Sequence, residues 1–282
     1  MKKIGFIDLF IDEWHANNYP GWIRSSRLAN EFELAMAWEE APKPGMRPLE
    51  KWCADFGVTP AASQDELIEK CDALIVLAPS NPEVHERLAE KALMSGKPLY
   101  MDKPFAPDRA AAERIFALAD KHNTPLFSCS ALRFTREIAE LKAGAFAGEQ
   151  VKMVGVTGGG GSYWEYCIHQ LEMVTTLMGV GAKRLMQTSA GRNKHVVIEF
   201  TDGRMAHITY GENMPYQFVV AGDTTQVAVN QCSDFFPILL DTILEFFKTG
   251  VVPVPKEETI EIAAMVGQSV AAQDYPNVWY DL

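Results

Sequence analysis

The stretch Asp72-Ala-Leu-Ile-Val-Leu-Ala78 narrows the folds open to this chain more than any other. An unbroken apolar run of strand length has no polar face to turn to water, so it predicts a strand covered on both sides, as in a parallel sheet. The segments around it keep the alternation that such a sheet needs. Residues 4–7 read as the first strand, 20–32 as a helix with Asn18 as its cap, 33–38 as a second strand, and 49–56 and 65–70 as helices. Beyond the central run, 83–95 is a helix stopped by Gly96, 98–101 a strand, 109–122 a helix and 125–128 a strand. This pattern predicts an α/β fold, with a doubly wound Rossmann-type parallel sheet over residues 1–128.

The second half has another rhythm. Short β-prone runs at 151–157, 184–190, 195–200, 204–210, 217–221 and 226–230 are separated by turns, and Thr201-Asp202-Gly203 is a hairpin signal between two of them. Helices at 135–143, 163–178, 237–249 and 257–272 complete an α+β domain over residues 129–282, a mixed or antiparallel sheet covered on one face by helices. Gly158-Gly-Gly-Gly161 reads as a flexible loop, since no helix with Lys and Ser/Thr follows it as a phosphate cradle requires. With 282 residues and 48% hydrophobic content, the chain has material for two cores.

Charge and cysteine usage exclude several functions. The net charge of -11, from 26 Lys and Arg against 37 Asp and Glu, is the wrong sign for a surface that neutralises nucleic-acid phosphates. Cys53, Cys71, Cys129, Cys167 and Cys232 are scattered, with no CxxC pair, which reads as reduced thiols in a cytoplasmic protein. The apolar start MKKIGFIDLF is broken by Asp8 and is not read as a signal peptide, and no apolar run is long enough to cross a membrane.

Two stretches carry candidate chemistry. In Gly96-Lys-Pro-Leu-Tyr-Met-Asp-Lys-Pro104, Lys103 falls at the carboxyl end of a predicted strand, where doubly wound sheets bind ligands, and its ammonium can polarise an oxygen or pass a proton. In Glu165-Tyr-Cys-Ile-His-Gln-Leu-Glu172, His169 has the intrinsic pKa of a general base, with Glu165 one turn before it and Glu172 three residues after it on nearly the same helix face. Taken alone, His169 reads as a core histidine and Lys103 as a solvated residue at a rigid turn.

Together with Ala78-Pro-Ser-Asn-Pro-Glu-Val-His85, these stretches resemble the Gfo/Idh/MocA family. In that family a strand ends in TP, a His opens the next helix, the following strand ends in EKP, and a DxGxHxxD motif opens the second domain. Here the triplet is DKP, Glu165 and Glu172 replace both acids, and Cys167 replaces the glycine. The resemblance implies an NAD(P)-dependent oxidoreductase acting on a hydroxyl of a sugar or polyol, with Lys103, Glu165 and His169 as catalytic residues. It also implies a cofactor lying along Asp8, Glu39, Glu40, Pro79, Asn81, His85, Asp102, Lys103 and Arg133. Substrate is expected against Lys103, Trp164, Tyr166, Glu172, His15 and Asn17. His85 also reads simply as a first-turn residue of its helix, and Tyr163, Trp164 and Tyr166 as helix packing. A homo-oligomer, dimer or tetramer, is expected to cover the open face of the second sheet.

One stretch departs from the family. In Ile4-Gly-Phe-Ile-Asp-Leu-Phe-Ile-Asp-Glu-Trp-His15 the first strand runs into a loop without glycine, and Asp8 stands where a dinucleotide fingerprint has its first glycine. Carboxylates beside a pyrophosphate repel it. Three readings answer this. An oxidoreductase would turn the acids outward and meet the phosphates with Arg24 or Arg27, Glu39 or Glu40 binding the ribose and favouring NAD over NADP. A non-redox sugar lyase, hydrolase or isomerase would use the loop as a substrate or metal site, with Asp8, Asp12, Glu13 and His15 as ligands. A metabolite-binding subunit would need no catalysis.

Overall fold

The computed structural model describes residues 1–282, and the chain divides into two compact units. The first comprises Met1–Ala106, Ala110–Cys129 and Leu239–Lys256; the second comprises Pro107–Arg109, Ser130–Ile238 and Glu257–Leu282.

In the first unit the strands β1 (Lys2–Asp8), β2 (Phe32–Glu39), β3 (Thr59–Pro60), β4 (Ala73–Val76), β5 (Leu99–Met101) and β6 (Leu126–Phe127) lie in the order β3-β2-β1-β4-β5-β6, all parallel. The order reverses between β1 and β4, and there the carboxyl ends of the strands open the crevice where such sheets bind ligands. Helices α1 (Trp14–Ser25), α2 (Leu49–Phe56), α3 (Gln64–Lys70), α4 (Pro82–Leu93) and α5 (Arg109–Lys121) make the crossovers. The apolar run predicted as the central strand is β4, and every residue in it is buried. Gly5 of β1 lets α3 approach closely: a Cβ there would sit 2.4 Å from Leu67 Cδ2.

The second unit holds α6 (Arg136–Ala143), β7 (Met153–Gly158), α7 (Tyr163–Met178), β8 (Ala182–Ala190), β9 (Asn193–Phe200), β10 (Met205–Tyr210), β11 (Gln217–Ala221) and β12 (Gln226–Val229). After them come α8 (Phe235–Thr249), α9 (Lys256–Ala271) and β13 (Trp279–Asp281). The sheet order is β12-β11-β7-β10-β9-β8-β13, with β7 and β10 parallel and the other pairs antiparallel, so the predicted mixed sheet is present. Its inner face, including Val154, Val156, Ile198, Ile208 and Val220, packs with Leu171, Val174 and Met265 into one core. Along β7, β10 and β11 the alternate residues Met153, Met205 and Val219 face outward and are exposed.

Three expectations change. The helix predicted to begin at Pro20 under an Asn18 cap begins six residues earlier, at Trp14, so Pro20 and Asn18 lie inside it and Asn18 Nδ2 donates to the Trp14 carbonyl at 2.6 Å. Proline gives no N–H to the carbonyl four residues back, so helix continuity through Pro20 rests on the packing of buried His15, Ala16, Tyr19 and Ile23. The division at 128/129 misses a return of the chain: α8, expected to cover the second sheet, supplies residues from Leu239 onward to the first unit. There Phe246 packs edge-on against Phe127 at 5.0 Å, Phe247 against Phe32 at 6.4 Å, and Lys2 Nζ donates to the Phe247 carbonyl at 3.0 Å. Finally, β3 and β13 are additional edge strands, β3 pairing with the preceding strand β2 and β13 with β8, far away in sequence.

Phe246 is 1% exposed. Phe246→Ala should therefore cost about 3–5 kcal/mol in a urea titration followed by the fluorescence of the unit's buried Trp52; a loss below about 1 kcal/mol would mean that α8 does not complete this core.

Candidate active site

The carboxyl ends of β1, β2, β4 and β5 gather most of the residues singled out in the first unit. Residues 9–13 join β1 to α1, and Glu13 is the helix cap: its backbone is extended (φ -131°, ψ 171°), and its carboxylate accepts the N–H groups of His15, at 2.7 Å, and Ala16. A helix start left with free N–H groups carries partial positive charge and binds anions. Here the chain's own carboxylate occupies it.

The neighbouring acids are engaged as well. Asp8 is fully buried; its Oδ1 accepts from Leu9 N at 2.7 Å and from Ala78 N at 3.0 Å, tying the end of β1 to the end of β4 across the crevice. Ala78 holds a left-handed φ of 61°, which a residue with a Cβ rarely adopts. Asp8 Oδ2 is buried without a partner, and burial, reinforced by nearby Glu13, pushes the Asp8 carboxyl well above its ordinary pKa. Glu39 accepts from Ile11 N at 2.9 Å and Leu49 N at 3.0 Å, pinning the loop to the start of α2. Asp12 takes Arg47, whose hydrogen bond lowers the Asp12 pKa to about 2. Asn17, read as a substrate residue, is a packing hub: it donates to Asp12 and accepts from Arg47 and Trp52. Glu40 pairs with Arg87.

The expected phosphate arginines lie elsewhere. Arg27 pairs with Asp241 and Glu245 of α8, and Arg24 is in the last turn of α1, roughly 15 Å from its capped end. His85 is fully buried, with Nε2 facing the Leu77 carbonyl at 2.7 Å and Nδ1 the Phe105 carbonyl at 3.0 Å; burial lowers its pKa, and its role is to tie β4 to the segment after β5. Asn81 caps α4 and Pro79 lies in the turn before it. Asp102, 1% exposed, has the hydroxyls of Tyr19 and Tyr100 each at 3.4 Å, and its Oδ2 lies 3.7 Å from His15 Nε2. Lys103 follows, half-buried, before a cis proline. No three His, Cys, Asp or Glu side chains are grouped to hold a metal ion, and Asp8 and Glu13 are turned to backbone N–H groups, so the ligand set Asp8, Glu13 and His15 is not assembled.

In the second unit the 3-10 turn Ala131–Phe134 precedes α6, and Ser130 caps it while also bonding His169 Nδ1 at 2.6 Å. The His169 ring sits between Tyr166 and Tyr216, with centroids at 5.6 and 5.9 Å. The glycine run is not a free loop. A Cβ on Gly160 would fall within 2.1 Å of the Tyr166 ring, and one on Gly158 within 2.4 Å of the Tyr216 ring; Tyr210 and Tyr216 hydroxyls donate to the carbonyls of Gly160 and Gly159. Glu165, in the first turn of α7, accepts from Ser162 Oγ. Trp164 is exposed, and Tyr163 is buried against Tyr210. Arg133 and Glu172, expected beside cofactor and substrate, form a buried ion pair, with Arg133 also reaching Glu258 Oε2 at 2.6 Å. Desolvation raises the Glu172 pKa while Arg133 opposes it. Ser130 and Tyr216 were missed in the sequence: one is a lone hydroxyl before a turn, the other lies far from His169 along the chain.

Residues 22–129 match the model of an oxidoreductase family with an NAD-binding Rossmann fold, GFO_IDH_MocA. Over this stretch the chain is similar to the Gfo/Idh/MocA family. The match begins after the glycine-free loop and the capped start of α1. A myo-inositol dehydrogenase of Streptomyces leeuwenhoekii is 35% identical over 91 residues, 32% of this chain but only 27% of that protein. Among solved structures, a probable dehydrogenase of Thermotoga maritima superposes with a TM-score of 0.82 at 16% identity, covering 99% of this chain and 98% of its own. The scyllo-inositol dehydrogenase of Lactobacillus casei with bound NAD(H) and scyllo-inositol superposes with a TM-score of 0.79 at 13% identity, covering 100% and 99%. Identities this low establish the shared fold.

The α1 start can take an anion, since the His15 and Ala16 amides hold the Glu13 carboxylate, while Glu39 at the end of β2 has both oxygens on the Ile11 and Leu49 amides.

Because the folded chain holds the Asp8 proton more tightly than the unfolded chain does, the folded state carries the extra proton between the two pKa values. The Asp8 contribution to stability is present below the unfolded pKa and is lost as pH rises through the folded one. Asp8→Asn keeps the Oδ1 acceptor and removes the charge, so melting curves should show a higher midpoint at mildly alkaline pH and a flatter pH dependence; an unchanged or lower midpoint there would contradict the buried neutral carboxyl.

Proposed function

We propose that the chain is an NAD(P)-dependent oxidoreductase, with NAD favoured over NADP, that oxidises a hydroxyl of a sugar or polyol. The observation that carries this reading is the engagement of His169 Nδ1 by Ser130 within a wall of Tyr166 and Tyr216. It fixes the ring, and aromatic faces suit the C–H face of a sugar ring. The inositol substrates named for relatives belong to those proteins; here they guide the choice of compounds to assay.

In this mechanism His169 takes the hydroxyl proton as general base. Glu165, four residues before His169 on α7, adds negative charge that favours the imidazolium formed. The dinucleotide would supply the hydride acceptor, and the His15 and Ala16 amides would hold its pyrophosphate once the Glu13 carboxylate has left them. Glu39 and Glu40 together disfavour the extra phosphate of NADP. The free thiols, four of them buried, suit a reducing cytoplasmic setting. Assembly as a dimer or tetramer would cover the outer face around Met153, Met205 and Val219, and sedimentation equilibrium should return a multiple of 31.4 kDa; a monomer at all concentrations would remove the oligomer from this reading.

Calorimetry with NAD and NADP tests the cofactor, and an assay over inositols and aldoses tests the chemistry. His169→Ala should lower kcat/KM by about 10²- to 10⁴-fold with dinucleotide affinity little changed. No heat of binding with either dinucleotide, or an unchanged turnover in His169→Ala, would overturn the proposal.

A further inference from the structure

At the start of α1 the chain supplies its own anion. Glu13 is 9% exposed, and both of its carboxylate oxygens lie on the amides of His15 and Ala16. Helix termini of this kind at the end of a first parallel strand receive phosphate when the residue before the helix is small. Here that residue ends in a carboxylate.

A second, independent observation marks the surroundings as unsatisfied. Asp8 Oδ2 and His15 Nδ1 are buried without hydrogen-bond partners. Asp8 is close enough to Glu13 to feel its charge, and His15 Nδ1 lies 3.4 Å from Glu13 Oε2. Buried polar atoms left unpaired are costly and commonly mark a place completed by a ligand or water. Asp12 and Glu39, the other acids of the loop region, are fully engaged with Arg47 and with the Ile11 and Leu49 amides. Glu13 is therefore the one carboxylate of the loop resting on the helix start itself.

We propose that Glu13 is an intramolecular occupant of the phosphate seat at α1, so that a dinucleotide binds only to the fraction of molecules in which the Glu13 carboxylate has left the His15 and Ala16 amides. Apparent affinity for a diphosphate is reduced by that fraction. The inference takes its ligand from the oxidoreductase reading, but the seat can be probed with a simpler anion.

The experiment measures calorimetric binding of inorganic pyrophosphate and of NADH to the full chain and to Glu13→Ser and Glu13→Asp. Serine remains a good helix cap, so α1 should persist without the carboxylate, and melting curves of the free variants check this. Glu13→Ser should bind both probes roughly tenfold tighter, which corresponds to about 1.4 kcal/mol; Glu13→Asp, which keeps cap and charge, should gain less. Equal affinity of wild type and Glu13→Ser for both probes, whether both bind or neither does, overturns the proposal, as does an equal gain with Asp. A gain for pyrophosphate with no NADH binding in any variant supports the seat and removes the oxidoreductase reading. NADH binding that is equal in all three proteins supports that reading and removes the seat.

Discussion

The hydrogen bonds from the His15 and Ala16 amides to the Glu13 carboxylate decide where α1 begins, and with it what the end of β1 can offer a ligand. Capping by a side chain contributes about 1 kcal/mol to a helix, a modest energy, yet here it is spent on the donor groups that a doubly wound sheet usually reserves for phosphate. Asp8 and Glu39 extend the same principle. Each turns a carboxylate to two backbone amides and so stitches β1 to β4 and the loop to α2. The acids of this loop are thus internal ties that stand in place of a glycine turn.

Much of the first unit was legible in the sequence because its strongest signals are local. An apolar run without a polar face can only be a covered strand, and β4 is that; α2 and α7 have the predicted limits because caps, breakers and spacing agree over their whole length. The start of α1 was not legible. Proline at residue 20 is a strong start signal, and only tertiary packing of His15, Ala16 and Tyr19 lets a helix run through it. Nor does an amphipathic helix say which core its apolar face will meet, so α8 read as cover for the nearer sheet although Phe246 and Phe247 belong with Phe127 and Phe32.

The candidate residues divide in the same way. Those recognised from short motifs lie where the motifs put them: Lys103 is half-buried just after β5, and His169 on α7 is held by Ser130. Those carried over by position, Arg133, Glu172 and His85, are buried ties, and Asn17, read from the polar and aromatic groups around it, is half-buried; their partners come from distant parts of the chain and left no trace in the local sequence. The glycine run shows the reverse error: composition read it as slack, whereas rings packed against Gly158 and Gly160 make small residues a steric requirement beside His169.

A crystal structure of the chain grown with NADH measures the central claim most directly. The account predicts dinucleotide phosphate oxygens on the His15 and Ala16 amides, with the Glu13 side chain swung away from them. Density showing the phosphates bound elsewhere while Glu13 still caps the helix would contradict it.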